Sequence, residues 1–198
     1  MNDALEADEE TAAAGSPEEA VPVAAIREAQ LGKSVAVVEL KYWGGVCLNV
    51  GCIPSKALLH ASELYHEATH NFAKMGLKGP APEIDWPGML AYKQSTVDTN
   101  TKGIEFLFKK NKVTWLKGKA AFQDAHTVDV NGQKVTAKNI VIATGSSVTP
   151  LPGVTVDNAG GRIVDSTGAL ALGFDPKRML ILGGGIIGLE MGSVYSSL

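Results

Sequence analysis

Six residues near the C-terminal end of the sequence, GGGIIG at Gly183–Gly188, fit the pattern G-x-G-x-x-G. The apolar run Met179–Leu182 predicts a strand before this segment, and the residues after it predict a helix, which is the context that the pattern requires. In dinucleotide-binding folds the three glycines, here Gly183, Gly185 and Gly188, serve a tight turn, close approach of a pyrophosphate and helix–strand packing. The segment therefore predicts an α/β, doubly wound dinucleotide-binding fold, and an ordinary glycine-rich turn is the alternative.

A helix followed by a buried strand is predicted near the start of the chain. Val23–Gly32 has apolar residues at helical spacing, and Ser34–Leu40 is a short β-branched run typical of a buried strand. Glu39 ends that strand, where an acid in a dinucleotide fold accepts hydrogen bonds from ribose hydroxyls; a plain surface glutamate is the alternative. Residues 1–20 hold seven acids and no base, so residues 1–22 are predicted to form a disordered acidic tail in place of the first strand and its glycine loop.

The rest of the chain alternates between helices and strands. Asn131-Gly132 between alternating valines predicts a type I′ hairpin, part of a small β-hairpin or meander insertion. The other predicted elements are helices over Ser55–Asn71 and Pro87–Asn111, strands over Val113–Phe122 and Ile140–Ala143, and a short helix between Arg162 and Leu172. We predict two domains after the tail, a first dinucleotide-binding domain over 23–160 and the start of a second over 161–198, with the fold truncated at both ends.

Bulk properties exclude several classes of protein. A net charge of −3 gives no nucleic-acid footprint, and no apolar run is long enough for a membrane span. The N-terminus shows no targeting signal. We therefore expect no nucleic-acid or membrane partner, and a reducing compartment in which any disulfide has a redox role.

Both cysteines of the chain lie in GGVCLNVGCIPSKALLH, at Cys47 and Cys52. A Cys₂His₂ zinc site with His66 and His70 is one alternative, but the glycine-rich run does not predict the hairpin that a zinc finger needs. An inert buried pair is another. A thiolate near a helix N-terminus and a lysine is a reactive nucleophile, so the placement favours a dithiol that opens and closes, without a metal.

This segment resembles the redox-active disulfide signature of the flavin-dependent pyridine-nucleotide disulfide oxidoreductases, which have a glutathione reductase-like fold. Within them C-L-N-V-G-C-I-P-S-K-A-L-L is most similar to the dihydrolipoamide dehydrogenase branch, and the similarity runs from about Val23 to Leu198. The resemblance implies that Cys47 is the interchange thiol and that Cys52 lies against the flavin. It also implies that Lys56 lies near the flavin, paired with Glu190.

The resemblance further implies two cofactors, FAD and NAD. Glu39 would hold the FAD ribose, and FAD would contact the backbone around Ala120 and around Thr144, Gly145 and Ser146. The glycines at Gly183, Gly185 and Gly188 would hold NAD.

The implied reaction is the oxidation of dihydrolipoamide, carried on a 2-oxoacid dehydrogenase complex, by a homodimeric flavoprotein in the bacterial cytoplasm or the mitochondrial matrix. A related glutathione or mercuric reductase, and a non-catalytic remnant acting as an interaction module, are the alternatives. Because the family's first glycine loop and its C-terminal catalytic histidine are expected to be absent, we expect weak FAD binding and little or no activity.

Overall fold

The computed structural model of the chain describes residues 11–14 and 20–198. The strands are β1 (Thr11–Ala14), β2 (Val35–Glu39), β3 (Thr114–Lys117), β4 (Ala120–Phe122), β5 (Thr127–Val130), β6 (Gln133–Thr136) and β7 (Asn139–Ile142). The helices are α1 (Ala20–Gln30), α2 (Gly45–Val50), α3 (Cys52–His70), α4 (Trp86–Lys110), α5 (Ser166–Ala169) and α6 (Ile186–Ser197), with a 3₁₀ turn over Phe72–Met75. No helix in this described part of the chain has the length and apolar character needed to cross a membrane.

A parallel four-stranded sheet has the order β3-β2-β1-β7. β1 lies inside this sheet, with Ala12 opposite both Ala36 and Ile140. The structure thus corrects the predicted tail at residues 11–14, which form a strand, and at 20–22, which begin α1. Alanine has weak strand propensity, so the sequence does not predict this strand. It forms because strands on both sides supply hydrogen bonds to it. Residues 1–10 and 15–19 of the predicted tail lie outside the described residues.

One face of the parallel sheet is covered by α1 and by the C-terminal part of α4. Val21 and Ala25 of α1 pack with Val37 of the sheet and with Phe108 of α4, which is 1% exposed. Gly32, with φ of +88°, follows the end of α1 in the left-handed conformation that glycine adopts at little steric cost, which is typical of a helix C-terminus.

A second, antiparallel sheet has the order β4-β5-β6. Asn131 and Gly132 join β5 to β6 with φ of 55° and 88°, which confirms the predicted type I′ hairpin. The single strand predicted over Val113–Phe122 is instead two strands, β3 and β4, in different sheets. The break lies at Gly118, whose backbone N–H donates to the carbonyl of Glu39 at 3.0 Å.

Helices α3, α5 and α6 form a separate apolar cluster. Leu58 of α3 packs with Leu170, and with Met191 and Val194 of α6. The strand predicted over Met179–Leu182 is not formed, and in the described residues this segment belongs to neither sheet. Leu180 within it is 85% exposed.

By spatial proximity the chain divides into two compact units. One comprises residues 1–49 and 99–147, and the other comprises residues 50–98 and 148–198. The first holds both sheets, and the second holds the cluster of α3, α5 and α6. The domain boundary after residue 160 stays a prediction, because these units are defined by packing within this chain alone.

Candidate functional site

The two cysteines lie on either side of a break between two helices. α2 carries Cys47, and α3 begins at Cys52 rather than at the predicted Ser55. Gly51 breaks the helical path with φ of −137° and ψ of −114°. Both cysteines are disulfide-bonded and the chain has no others, so they are joined to each other. Cys47 is half-buried and Cys52 is exposed, which leaves one sulfur of the disulfide accessible from solvent.

The two glycines before Cys47 are required by the backbone. Gly44 and Gly45 have φ of +89° and +74°, a region that L-residues with side chains rarely adopt. A Cβ on Gly44 would also lie 2.7 Å from Cδ1 of Leu48 and 2.9 Å from Cδ1 of Ile104. The glycines therefore bring the chain into α2 at an angle that no other residue type tolerates well.

Asn49, between the cysteines, fastens α2 to the preceding turn. Its Nδ2 donates to the carbonyl oxygen of Trp43 at 2.8 Å and to that of Gly45 at 2.9 Å. Both amide protons are used, one on the carbonyl of the turn before α2 and one on the carbonyl of its first residue. Our sequence reasoning missed this residue, although an amide four positions after a glycine-started helix was a signal that could have suggested it.

The start of α3 is held by its own residues. Ser55 Oγ donates to the carbonyl of Gly51 at 2.7 Å, across the helix break. Pro54 is fully buried, and it lies in the first turn, where a backbone N–H has no intrahelical partner, so its missing proton costs nothing. These contacts place Cys52 on the first turn of a nineteen-residue helix.

Lys56 and Glu190 form an ion pair between α3 and α6, with the ammonium donating to Oε1 of the carboxylate. The carboxylate is largely buried, with its side chain 20% exposed, and the lysine side chain is 59% exposed. The two helices are brought together by the apolar contacts of Leu58, Met191 and Val194. The structure thus joins two predicted site residues that are 134 positions apart in the sequence.

Glu39 is buried at the end of β2, 5% exposed. Its Oε1 accepts hydrogen bonds from the backbone N–H groups of Lys41 at 2.8 Å and Tyr42 at 3.1 Å. Two backbone donors compensate for the removal of a carboxylate from water and hold it in one orientation. Among the described residues these bonds reach only Oε1, so Oε2 keeps its acceptor capacity for a ligand hydroxyl.

In the glycine-rich turn two of the three glycines are required by the backbone. Gly183 has φ of +104°, and a Cβ on Gly188 would lie 2.6 Å from the carbonyl oxygen of Gly183. By contrast, a Cβ on Gly185 would meet no atom within 4 Å. The first and last glycines are thus required by the protein, whereas the middle one faces open space at the N-terminus of α6, where no side chain caps the helix.

The remaining predicted residues lie in the unit that holds the sheets. Ala120 begins β4 and packs against the buried valines of the β5–β6 hairpin. Thr144, Gly145 and Ser146 follow β7 and are exposed, and Gly145 has φ of +73°. Their backbone groups are accessible, and their contact with FAD stays a prediction.

The zinc alternative for the cysteines is wrong, because both sulfurs are committed to the disulfide. In the described part of the chain, moreover, no three side chains from His, Cys, Asp and Glu lie close enough together to hold a metal ion.

Comparison with known proteins relates this geometry to one family. Residues 20–198 match the sequence profile described as "Pyridine nucleotide-disulphide oxidoreductase". Dihydrolipoyl dehydrogenase 1, mitochondrial, of Arabidopsis thaliana is 51% identical over 182 residues, which is 89% of this chain and 36% of that protein. The mitochondrial dihydrolipoyl dehydrogenase of Schizosaccharomyces pombe is 51% identical over 183 residues, 89% of this chain and 35% of that protein. Leghemoglobin reductase of Vigna unguiculata is 52% identical over 182 residues, 89% of this chain and 34% of that protein.

A solved structure shares the fold. The HOCl-induced flavoprotein disulfide reductase RclA from Escherichia coli superposes with a TM-score of 0.75 at 27% identity, covering 95% of this chain and 40% of that one. The chain spans about a third of the length of the curated relatives that it matches. With a family profile over 20–198 and identity near one half, the chain belongs to the pyridine nucleotide-disulphide oxidoreductases and is a homologue of the dihydrolipoyl dehydrogenases.

Proposed function

We propose that this chain carries the disulfide-exchange site of a dihydrolipoyl dehydrogenase, which oxidises dihydrolipoamide to lipoamide with FAD and NAD as cofactors. The observation that carries the proposal is the Cys47–Cys52 disulfide at a helix break, in a chain 51% identical to dihydrolipoyl dehydrogenases. Because the chain spans about a third of those relatives, the activity, substrate and partners of a whole protein are part of the proposal.

In this proposal Cys47 exchanges with the substrate. A thiolate of dihydrolipoamide attacks the Cys47 sulfur, so that a mixed disulfide forms, the Cys47–Cys52 bond breaks and Cys52 leaves as a thiolate. The second substrate thiol then attacks the mixed disulfide and closes lipoamide, and Cys47 leaves in turn. The substrate loses two electrons and two protons, and the cysteine pair takes them up.

The greater exposure of Cys52 taken alone favours it as the attacked sulfur. We assign the exchange to Cys47 because the family motif places the flavin against Cys52, and a bound flavin would cover that sulfur. The two assignments are separable by experiment, as described below.

The residues that would hold FAD fit it in part. Glu39 presents an oriented carboxylate for ribose hydroxyls, and Ala120 and Thr144–Ser146 offer backbone groups. Bound there, FAD would supply a two-electron acceptor for the dithiol, with NAD⁺ as the final acceptor. The Lys56–Glu190 pair would hold the lysine ammonium in a fixed place beside the flavin, with the largely buried carboxylate as its anchor.

The sequence between β1 and α1 lacks the glycine-rich pattern of a dinucleotide-binding loop. Residues 15–19 read GSPEE, with one glycine and two acids where a dinucleotide fold has a glycine-rich loop around a pyrophosphate. Acidic side chains repel a pyrophosphate at close range. We therefore propose that these 198 residues bind FAD weakly and have little lipoamide activity by themselves.

The glycine turn fits NAD. Gly185 leaves room for a pyrophosphate, and the N-terminus of α6 offers backbone donors and a favourable helix dipole. The choice of NAD over NADP follows the family.

The partners follow from the same reasoning. We propose dihydrolipoamide on a 2-oxoacid dehydrogenase complex as the substrate and a second subunit as the partner in a homodimer. Several relatives are named as mitochondrial, so we propose the mitochondrial matrix as the location, with the bacterial cytoplasm as the alternative.

Thiol trapping tests the exchange. The oxidised chain is incubated with dihydrolipoamide or with dithiothreitol, quenched with an alkylating reagent, and analysed by mass spectrometry. We expect faster reduction of the Cys47–Cys52 disulfide by dihydrolipoamide. A disulfide that dihydrolipoamide leaves intact contradicts the proposal.

Two single variants test the roles of the sulfurs. With FAD added, C47S retains the flavin-side thiol and is expected to show a long-wavelength thiolate–flavin absorbance band, whereas C52S is expected to lack it. The reverse result would exchange the two roles.

A titration with FAD tests the cofactor proposal. A stoichiometric yellow complex that reduces lipoamide with NADH would contradict weak binding. A related reductase is the second candidate, supported by the likeness to RclA at 27% identity, and preferential oxidation of the dithiol by glutathione disulfide over lipoamide would favour it.

A further inference from the structure

Cys47 lies in a helix that is too short to be stable by itself. α2 has six residues, whereas isolated helices of fewer than about 12 residues are marginal in water. Side-chain contacts therefore decide how firmly this helix holds its residues in place. Two neighbouring residues of α2 make such contacts. Leu48 is buried, at 4% exposed, and Asn49 donates hydrogen bonds to two backbone carbonyls.

The hydrogen bonds of Asn49 span the stretch of chain that carries Cys47. The bond to the carbonyl of Gly45 joins positions i and i−4, and Cys47 is midway between them. The bond to the carbonyl of Trp43 extends to the residue two positions before the helix. Cys47 therefore lies inside a segment whose two ends are tied together by one side-chain amide.

The turn that accepts these bonds is itself held in place. Trp43 packs against the apolar cluster around α1, and its ring centroid lies 6.3 Å from that of the buried Phe108 in an edge-to-face arrangement. The backbone N–H of Gly45 donates to the carbonyl of Tyr42 at 2.9 Å, which closes the turn. The amide of Asn49 thus connects α2 to a fixed point of the fold.

The freedom of Cys47 affects its redox chemistry because closing the disulfide is an intramolecular step. When dithiothreitol reduces the Cys47–Cys52 bond, the reagent loses two electrons and two protons and becomes a cyclic disulfide, and the cysteines become two thiols. The position of this equilibrium depends on how closely the reduced chain holds the two sulfurs. Restricting Cys47 lowers the conformational entropy of the reduced chain, so it favours the disulfide.

We infer that Asn49 is a positioning residue for the redox pair. By holding Cys47 in the reduced chain, it favours closure of the disulfide and makes the disulfide harder to reduce. Both of its amide protons are used on backbone carbonyls, so it acts through the backbone of α2. The relevance of this role to catalysis rests on the proposed exchange at Cys47.

The test equilibrates the 198-residue chain with mixtures of reduced and oxidised dithiothreitol. Acid quenching, alkylation and mass spectrometry then give the fraction of Cys47–Cys52 that is reduced, and from it the equilibrium constant. We expect Asn49→Ala to shift this constant toward the dithiol by about threefold to tenfold, since part of the ordering of the backbone around Cys47 is lost. A tenfold shift corresponds to about 30 mV in reduction potential.

Two further variants separate the hydrogen bonds from other effects. Asn49→Leu keeps a side chain of similar shape without donors, and we expect it to give the same shift as Asn49→Ala. Asn111→Ala is the matched control, because Nδ2 of Asn111 makes the same i to i−4 bond, to the carbonyl of Leu107 at 2.8 Å, at the end of a helix that has no cysteine. We expect this control to keep the wild-type constant. Far-UV circular dichroism of the oxidised and reduced forms checks that each variant is folded.

A wild-type constant in Asn49→Ala or in Asn49→Leu would overturn the inference. An equal shift in Asn111→Ala would also overturn it, because that result would indicate a general loss of stability. The constant measured with dithiothreitol does not depend on the natural substrate. If dihydrolipoamide leaves the wild-type disulfide intact while both Asn49 variants shift the constant, the proposed function fails and the positioning role stands.

Discussion

In the glycine turn before α6, single glycine-to-alanine substitutions can distinguish the glycine that packing requires from the glycine that leaves room for a ligand. In Gly188→Ala the new Cβ would lie 2.6 Å from the carbonyl oxygen of Gly183 and 3.0 Å from Cγ2 of Ile181. The closer atom belongs to the backbone and cannot rotate away, so α6 must shift from the turn. Overpacking of this kind costs about 1–3 kcal/mol. With a urea m-value of about 2 kcal/mol/M, the unfolding midpoint should fall by about 0.5–1.5 M.

Gly184→Ala is the matched control. Its Cβ would meet nothing within 4 Å and its φ is not left-handed, so the substitution should be neutral or stabilise by about 0.4–1 kcal/mol. Gly185→Ala meets the same empty space and should also keep its stability, but it should weaken NAD binding if a pyrophosphate approaches there. Urea unfolding followed by far-UV circular dichroism gives the midpoints, and equal midpoints for Gly188→Ala and Gly184→Ala would refute the steric reasoning.

Two further predictions concern the helices near the site. Asn49→Ala removes two hydrogen bonds to the carbonyls of Trp43 and Gly45 and should cost about 1–3 kcal/mol, measured by the same unfolding experiment; an unchanged midpoint would show that water replaces the amide. Burial raises the pKa of Tyr195 to about 12, and its hydroxyl donates to the carbonyl of Ala169. The folded state keeps this proton while the unfolded state loses it above about pH 10, so stability should fall as the pH rises from about 10 to 12. Melting temperatures across this range should show the fall in the wild type and a smaller one in Tyr195→Phe; parallel curves would contradict it.

Local chemistry explains the elements that the sequence predicted well. The type I′ turn needs positive φ at both of its central residues, and only a few residue pairs tolerate this. Asn131 and Gly132 are such a pair, so these two residues alone predict the hairpin. Gly32 after α1 is predictable for the same reason.

Elements whose hydrogen bonds come from distant residues were not predictable in this way. β1 is an alanine-rich segment behind an acidic run, and it becomes a strand because β2 and β7 pair with it on both sides. At Met179–Leu182 a strand was predicted from composition and was not formed, since this segment is paired with no strand among the described residues. Gly118 likewise divides one apolar run between two sheets, a choice that depends on the sheets themselves.

In the candidate site, too, local features were predictable from the sequence and long-range contacts were not. The motif around Cys47 and Cys52 and its resemblance to a family anticipated the redox disulfide, and the resemblance also suggested the Lys56–Glu190 pair. Periodicity alone could not have suggested that pair, because it depends on the packing of α3 against α6. The two hydrogen bonds that the Asn49 amide donates were found only from interatomic distances.

The sequence by itself determined the class of fold, the turn chemistry and the position of the two cysteines that form the disulfide, because these depend on residues within a few positions of one another. The tertiary structure decided which segments became strands, how the buried carboxylate of Glu39 is oriented and which charges meet. Those outcomes depend on hydrogen-bond donors and apolar surfaces supplied by residues far away in the chain, and a backbone group is paired only when its partner is present in space.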